Sequence, residues 1–171
     1  MDERLAAELA AMATEDLRVK ATDDRVFARR VSMRERMDLT RVGVAHTDRL
    51  RDVVADVGWP GRALVGDEGA EHAWLLAQHA DRQLDSQRLF LAALRRAVEA
   101  GDAPAWHLAY LTDRVAMNEG RPQCYGTQVA EMARGEAVSW PIENPGGVDE
   151  RRATMGLSPL SEHLAQWRGM T

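Results

Sequence analysis

The stretch DEGAEHAWLLAQHADR, residues 67–82, decides the fold. Its alanines, leucines and Trp74 fall on nearly all sides of a 3.6-residue helix, and a helix that is apolar all round is typical of a buried, central element. Similar helical spacing of apolar residues recurs on both sides of this stretch. We therefore predict a mainly α protein, with further helices at residues 2–20, 25–42, 46–57, 85–100, 104–117, 148–155 and 159–168, and a connector at residues 62–66.

The helical pattern stops at residues 118–120. Residues 136–142 read as extended, and Ala133-Arg134-Gly135 before them could turn a β-hairpin. No internal repeat or low-complexity tail interrupts the chain. The expected architecture is a single compact helical domain over residues 1–171, with N-terminal helices in residues 1–42 and one small β-hairpin near the C-terminal third.

Composition excludes several classes of function. Lysine and arginine number 22 against 27 acidic residues, giving a net charge of −5, whereas a nucleic-acid binder usually shows a basic stripe. No apolar run reaches the ~18 residues of a membrane span, and the acidic start does not resemble a secretory signal, so we expect a cytoplasmic protein. Cys124 is the only cysteine, which excludes an internal disulfide, and Lys20 is the only lysine, which excludes a Gly-Lys-Ser/Thr phosphate loop.

Polar residues cluster near the end of the apolar helix predicted at residues 67–82: Gln78, His79 and Asp81. A histidine titrates near neutral pH, so His79 is a candidate proton carrier; the alternative is a core histidine bonded to a neighbour. His72 lies seven residues earlier, ~10 Å along the axis, which is too far for the two imidazoles to chelate one ion. We therefore expect no metal site.

Two further stretches place polar side chains in apolar surroundings. In the first, Asp113 could orient a base and Arg114 could hold a carboxylate or phosphate, or the two could form a structural ion pair. In the second, an extended backbone would direct Gln123, Tyr125 and Thr127 to one side and Gln128 to the other. Such an edge could line a pocket, or it could be a tight connector bonded to its own backbone.

These stretches, in this order, resemble a widespread bacterial family known as domain of unknown function number 6624. The shared motifs are Gly-Trp-Pro at residues 58–60, WLxxQHAD at 74–81, YLTDR at 110–114, GRPQxYGTQ at 120–128 and Pro-Ile-Glu at 141–143. The similarity covers about residues 44 to 164, the family-like core. Two positions depart from the family: Asp16-Leu17-Arg18 lacks the glutamine that usually follows the aspartate, and His46 stands where asparagine is frequent.

The resemblance implies no named reaction, but it implies that the polar motifs form one site. Our leading hypothesis is an enzyme that modifies a small molecule or peptide by acid–base chemistry without metal or cofactor, as an isomerase, cyclase, lyase or hydrolase, in bacterial specialised metabolism. The expected catalytic residues are His79, Asp113 and Tyr125, with Asp113 or Asp81 as the orienter of His79. The expected substrate-binding residues are Gln78, Asp81, Arg114, Gln123, Thr127 and Gln128.

Two alternatives remain open. The chain could be a ligand-binding or protein-interaction module that performs no catalysis, or the polar motifs could form a buried network that only fixes the fold. The expected partner is a small-molecule or peptide substrate, with neither nucleic acid nor membrane, and the sequence indicates no oligomeric state. An enzyme site requires His79, Arg114 and Tyr125 to converge on one cleft.

Overall fold

The computed structural model describes residues 1–27, 33–133 and 136–167. The chain divides into two compact units, residues 1–103 and 104–171, and each is described by itself. The described residues form seven α-helices, a short 3-10 helix and one two-stranded antiparallel hairpin. This confirms the predicted mainly α fold with a small hairpin in the C-terminal third. The single-domain organisation stays a prediction.

Four helices build the first unit: α1 (Glu3–Phe27), α2 (Met33–Val57), α3 (Arg62–Gln78) and α4 (Leu84–Glu99). α3 contacts each of the other three helices, as α2 also does, and its contact with α1 is the most extensive in the unit. Its buried positions are mostly glycine and alanine, which lets neighbouring backbones approach closely. Larger side chains from the other helices fill the core around it, among them Leu9, Leu50, Phe90 and Leu94.

The boundaries of α3 differ from the predicted ones at both ends. Residues 62–65, predicted as connector, are helical because Asp102 accepts the backbone N–H of Arg62 and of Ala63, and the helix then kinks at Gly66, where φ is +75°. The helix ends at Gln78 rather than at residue 82. The side-chain amide of Gln87 donates to the carbonyls of Ala77 and Gln78 at the end of the helix, where helical hydrogen bonds run out. His79 and Asp81 therefore lie just beyond the helix.

α2 is one continuous helix where the sequence predicts two. The expected break falls at Gly43, but glycine inside a helix costs only about 1 kcal/mol relative to alanine. Packing of α2 against α1, α3 and α4 outweighs that cost. As a result, His46 lies in the interior of a helix rather than at its start.

The second unit begins with α5 (Ala105–Asn118), followed by a loop and the hairpin of β1 (Val129–Ala133) and β2 (Glu136–Ser139). The hairpin pairs Ala133 with Glu136; of its predicted turn, Arg134 and Gly135 lie outside the described residues. A 3-10 helix (Pro145–Gly147), α6 (Val148–Thr154) and α7 (Leu160–Ala165) complete the unit, and α7 packs against β2. The predicted helix at 159–168 is thus shorter, and Arg168 lies outside the described residues.

Candidate functional site

A histidine–aspartate pair lies in the first unit. His79 is the C-terminal capping residue of α3, and its Nδ1 donates a hydrogen bond to Oδ2 of Asp16 on α1. Asp16 is only 5% exposed, so its carboxylate is held away from water. The pair joins two helices across 63 residues of sequence.

The pairing fixes the chemistry of the imidazole. A carboxylate that accepts from Nδ1 holds the ring in one orientation and leaves Nε2 as the nitrogen that can accept a proton. No residue in the described ranges bonds to Nε2. The His79 side chain is 18% exposed, so the ring is largely buried but not sealed. This arrangement can act as a general base or, once protonated, as a general acid.

The sequence predicts His79 but not Asp16. The available signal is the spacing of the buried positions on α1, which are Leu5, Leu9, Ala13, Asp16 and Val19. These positions are separated by four, four, three and three residues, so Asp16 falls on the apolar stripe of the helix. A carboxylate on such a stripe needs a buried partner, and the structure supplies His79.

The remaining predicted residues of the first unit make different contacts. The Asp81 carboxylate accepts from Nε2 of Gln87 at 3.3 Å, and so helps to position the amide that caps the last carbonyls of α3. The side chain of Gln78 is buried, and its Nε2 has no hydrogen-bond partner among the residues that the structure describes. His46 faces Glu15, with 3.4 Å between Nε2 and Oε2. Leu17, where the family usually has glutamine, is exposed on α1.

Asp113 of α5 is the centre of a second polar cluster, in the second unit. Its carboxylate is fully buried and accepts the backbone N–H groups of Cys124, Tyr125 and Thr127 at 2.8–3.1 Å, together with the Thr127 hydroxyl at 3.0 Å. Burial raises the pKa of Asp113, and the hydrogen bonds from Thr127, Tyr125 and Cys124 oppose that rise. The lone pairs of both oxygens are thus occupied in fixing the loop at residues 123–128.

Gln123 and Gln128 close this loop on itself. Gln123 accepts the N–H of Gln128 at 2.8 Å and donates to the carbonyls of Gln128 and Trp140. Gln128 in turn accepts from Arg114 at 3.1 Å and donates to the Thr127 hydroxyl at 3.0 Å. Every hydrogen bond in this set lies within the second unit, and each one positions backbone or a neighbouring side chain.

Two arginines of α6 bind the carbonyl side of the same loop. Arg151 donates to the carbonyl of Cys124 at 2.9 Å, and the buried Arg152 donates to the carbonyl of Tyr125 at 2.7 Å. The loop is therefore held by a carboxylate on its N–H groups and by guanidinium groups on its carbonyls. Burial raises the pKa of the Cys124 thiol, although Arg151 opposes the rise, so this thiol is poorly suited to act as a nucleophile.

The predicted site residues thus fall into two groups. The structure places Asp113, Arg114, Gln123, Tyr125, Thr127 and Gln128 around one loop of the second unit. It places Gln78, His79 and Asp81 at the end of α3 in the first unit. The catalytic roles of Asp113 and Tyr125, and the convergence of both groups on one cleft, stay predictions. The residue that orients His79 is Asp16.

Two features are absent from the part of the chain that the structure describes. It contains no group of three histidine, cysteine or acidic side chains that could hold a metal ion. None of the helices in the described ranges combines the length and apolar character that crossing a membrane requires.

The comparisons with known proteins identify a family but no characterised relative. The family described as "Family of unknown function (DUF6624)" matches residues 4–168. No curated protein and no solved structure matches the chain. The match confirms the resemblance drawn from the motifs and extends it to the helix that carries Asp16.

Proposed function

Because the chain belongs to DUF6624, a family of unknown function, we propose its activity from the site alone: an enzyme in which His79 transfers protons without a metal. The observation that carries this proposal is the bond from His79 Nδ1 to the buried Asp16 carboxylate. It leaves Nε2 as the proton-accepting atom and fixes its direction, which are the requirements for a general base.

Asp16 is the positioning residue of this pair. It holds one tautomer of the imidazole and stabilises the imidazolium that forms when Nε2 takes a proton. The sequence also offers Asp113 as a residue that could orient His79. In the structure its carboxylate accepts hydrogen bonds from the loop at residues 123–128. We assign that loop and its network to the framework of the second unit.

The reactions that suit this pair are those that need one proton removed and one returned, as in an isomerase, cyclase, lyase or hydrolase. General acid–base assistance of this kind contributes about 10²–10⁴-fold to a rate. The substrate we propose is a small molecule or peptide of bacterial specialised metabolism. A nucleic acid is disfavoured because a net charge of −5 repels a polyanion.

Solvent isotope incorporation tests the proposal without knowledge of the substrate. The purified protein is incubated with a bacterial metabolite extract in D₂O or H₂¹⁸O, and mass spectrometry detects compounds that gain label only when protein is present. We expect labelling by the wild type, a loss of about 10²–10⁴-fold in His79→Gln, and a comparable loss in Asp16→Asn. His72→Gln, two turns earlier on α3, is the matched control and should label normally.

The role of Asp16 has its own readout. Nitrogen NMR of the His79 ring reports which nitrogen carries the proton, and Asp16→Asn should change that tautomer balance while the other histidines keep theirs. Full labelling by His79→Gln would refute acid–base catalysis by this residue. An absence of protein-dependent labelling in any extract would favour the ligand-binding module instead.

A further inference from the structure

A cavity of about 360 Å³ lies in the first unit, between α2 and the start of α4. Arg51 of α2 lines one part of it, and six residues of the segment 82–88 line the rest. The lining carries three positive charges, from Arg51, Arg82 and Arg88, against one negative charge, from Asp85. In a chain with a net charge of −5, this excess of positive charge around one cavity favours an anionic ligand.

The first turn of α4 adds hydrogen-bond donors to the same cavity lining. The first helical bond of α4 runs from the N–H of Gln87 to the carbonyl of Gln83, and no side chain in the described ranges caps the helix. The N–H groups of residues 84–86 therefore have no acceptor within the helix. Such a helix start, with its free donors and the positive end of the helix dipole, favours negative charge.

Ser86 supplies an independent indication of a ligand. It lines the cavity and is only 6% exposed, yet its hydroxyl makes no hydrogen bond to any residue in the described part of the chain. Buried polar groups in native proteins nearly always have a partner, either in the protein or in a bound molecule. Because Ser86 lines the cavity wall, a molecule in the cavity can provide that partner.

The three arginines keep donors available for a ligand. Arg51 lies 3.1 Å from the Asp48 carboxylate, and Arg88 lies 2.8 Å from the Asp85 carboxylate. Arg82 forms no ion pair with any residue that the structure describes. The two existing pairs are accessible to solvent, and such pairs contribute only about 0–1 kcal/mol each. Since a guanidinium group has five N–H donors, one carboxylate contact leaves others for a second anion.

We propose that this cavity binds the phosphate group of a small phosphate monoester. Such a group carries a charge of about −1.5 to −2 at pH 7 and three acceptor oxygens, which match a lining rich in donors and positive charge. Pockets for small molecules measure about 300–1,000 Å³, so the cavity suits a phosphate with a short organic group attached. The site is independent of the proposed function of His79, because binding is measured without turnover.

The test uses glycerol 3-phosphate as the probe and NMR of the full-length, ¹⁵N-labelled protein at constant ionic strength. Millimolar glycerol 3-phosphate should shift the backbone N–H signals of residues 84–86. Inorganic phosphate, which leaves the rest of the cavity empty, should shift the same signals with lower affinity. Acetate, with one negative charge and two oxygens, should bind more weakly than either phosphate.

Three variants distinguish a built site from general charge attraction. Arg82→Gln and Ser86→Ala should each weaken binding of glycerol 3-phosphate about three- to tenfold, the effect of one hydrogen bond. Arg95→Gln is the matched control: Arg95 is exposed on α4 outside the cavity lining, and its loss changes the net charge equally. It should weaken binding less than about twofold. Because the Ser86 hydroxyl has no partner in the described residues, Ser86→Ala should leave the melting temperature unchanged or raise it.

Four results would overturn the inference. The first is an absence of localised shifts with glycerol 3-phosphate up to about 10 mM. The second is equal weakening by Arg95→Gln and Arg82→Gln, which would show attraction by net charge alone. The third is tighter binding of inorganic phosphate or acetate than of glycerol 3-phosphate, which would exclude a monoester. The fourth is a large fall in melting temperature in Ser86→Ala, which would assign the hydroxyl to the fold. Normal binding together with full isotope labelling by His79→Gln would refute only the proposed function.

Discussion

Replacing Asp113 by alanine should be among the most destabilising substitutions in the chain. The carboxylate is fully buried and accepts three backbone N–H groups and one hydroxyl from the loop at residues 123–128. Alanine leaves those donors without a partner, and each buried unpaired group costs about 1–3 kcal/mol. Since two of the N–H groups are only partly buried, we expect a loss of about 3–6 kcal/mol in the free energy of unfolding.

Urea unfolding followed by circular dichroism measures this loss directly. Asp113→Asn is a useful second variant, because asparagine has the same shape as aspartate but its NH₂ group cannot accept hydrogen bonds from the donors around it. We expect Asp113→Asn to lose at least about half as much free energy of unfolding as Asp113→Ala does. A loss below about 1 kcal/mol in Asp113→Ala would refute the assignment of Asp113 to the framework, because the loop would then hold without its carboxylate.

Three further results are expected. Gly126→Ala should lower the free energy of unfolding by about 1–3 kcal/mol, since φ is +70° and the new Cβ would lie 2.7 Å from Cδ1 of Leu160. Gly120→Ala is the control: φ there is +71° but the space around it is open, so it should lose less free energy of unfolding in the same urea titration. Burial, and to a lesser extent the nearby Arg152, lower the pKa of His163 in the folded protein below its ordinary value of 6.5. As the pH drops below 6.5, the unfolded chain therefore binds a proton at this histidine more readily than the folded protein does. Stability should therefore fall as the pH drops through that range, and His163→Gln should flatten the melting temperature against pH. Finally, a chelator should leave melting temperature and isotope labelling unchanged; stoichiometric zinc or iron in the native protein would contradict this.

The sequence predicts those helices whose boundaries depend on local signals. α4 and α5 begin and end within a residue or two of the predicted limits, because glycine and proline mark the turn at residues 101–104. The ends of α3 escaped prediction because distant side chains create them: Asp102 binds its first turn and Gln87 its last carbonyls. Such partners are chosen by tertiary packing, which local periodicity does not encode.

The candidate site shows the same division. Periodicity and composition single out His79 and Asp113 as polar groups in apolar helices. In the structure both side chains have polar partners: His79 binds the buried Asp16, and Asp113 accepts the backbone N–H of Thr127. The identity of the partner was accessible only from the fold. Asp16 lies 63 residues before His79, and several acidic residues on the same helix compete with it for that role in the sequence.

The loop at residues 123–128 is held by hydrogen bonds to charged side chains of two helices, a carboxylate on α5 and two guanidinium groups on α6. The Asp113 carboxylate of α5 takes its N–H groups, and Arg151 and Arg152 of α6 take its carbonyls. At Cys124 and Tyr125 these bonds use peptide groups, so the backbone path there does not depend on which side chain is present. Position 124, the variable position of the GRPQxYGTQ motif, can therefore carry another side chain while the surrounding helices preserve the backbone shape.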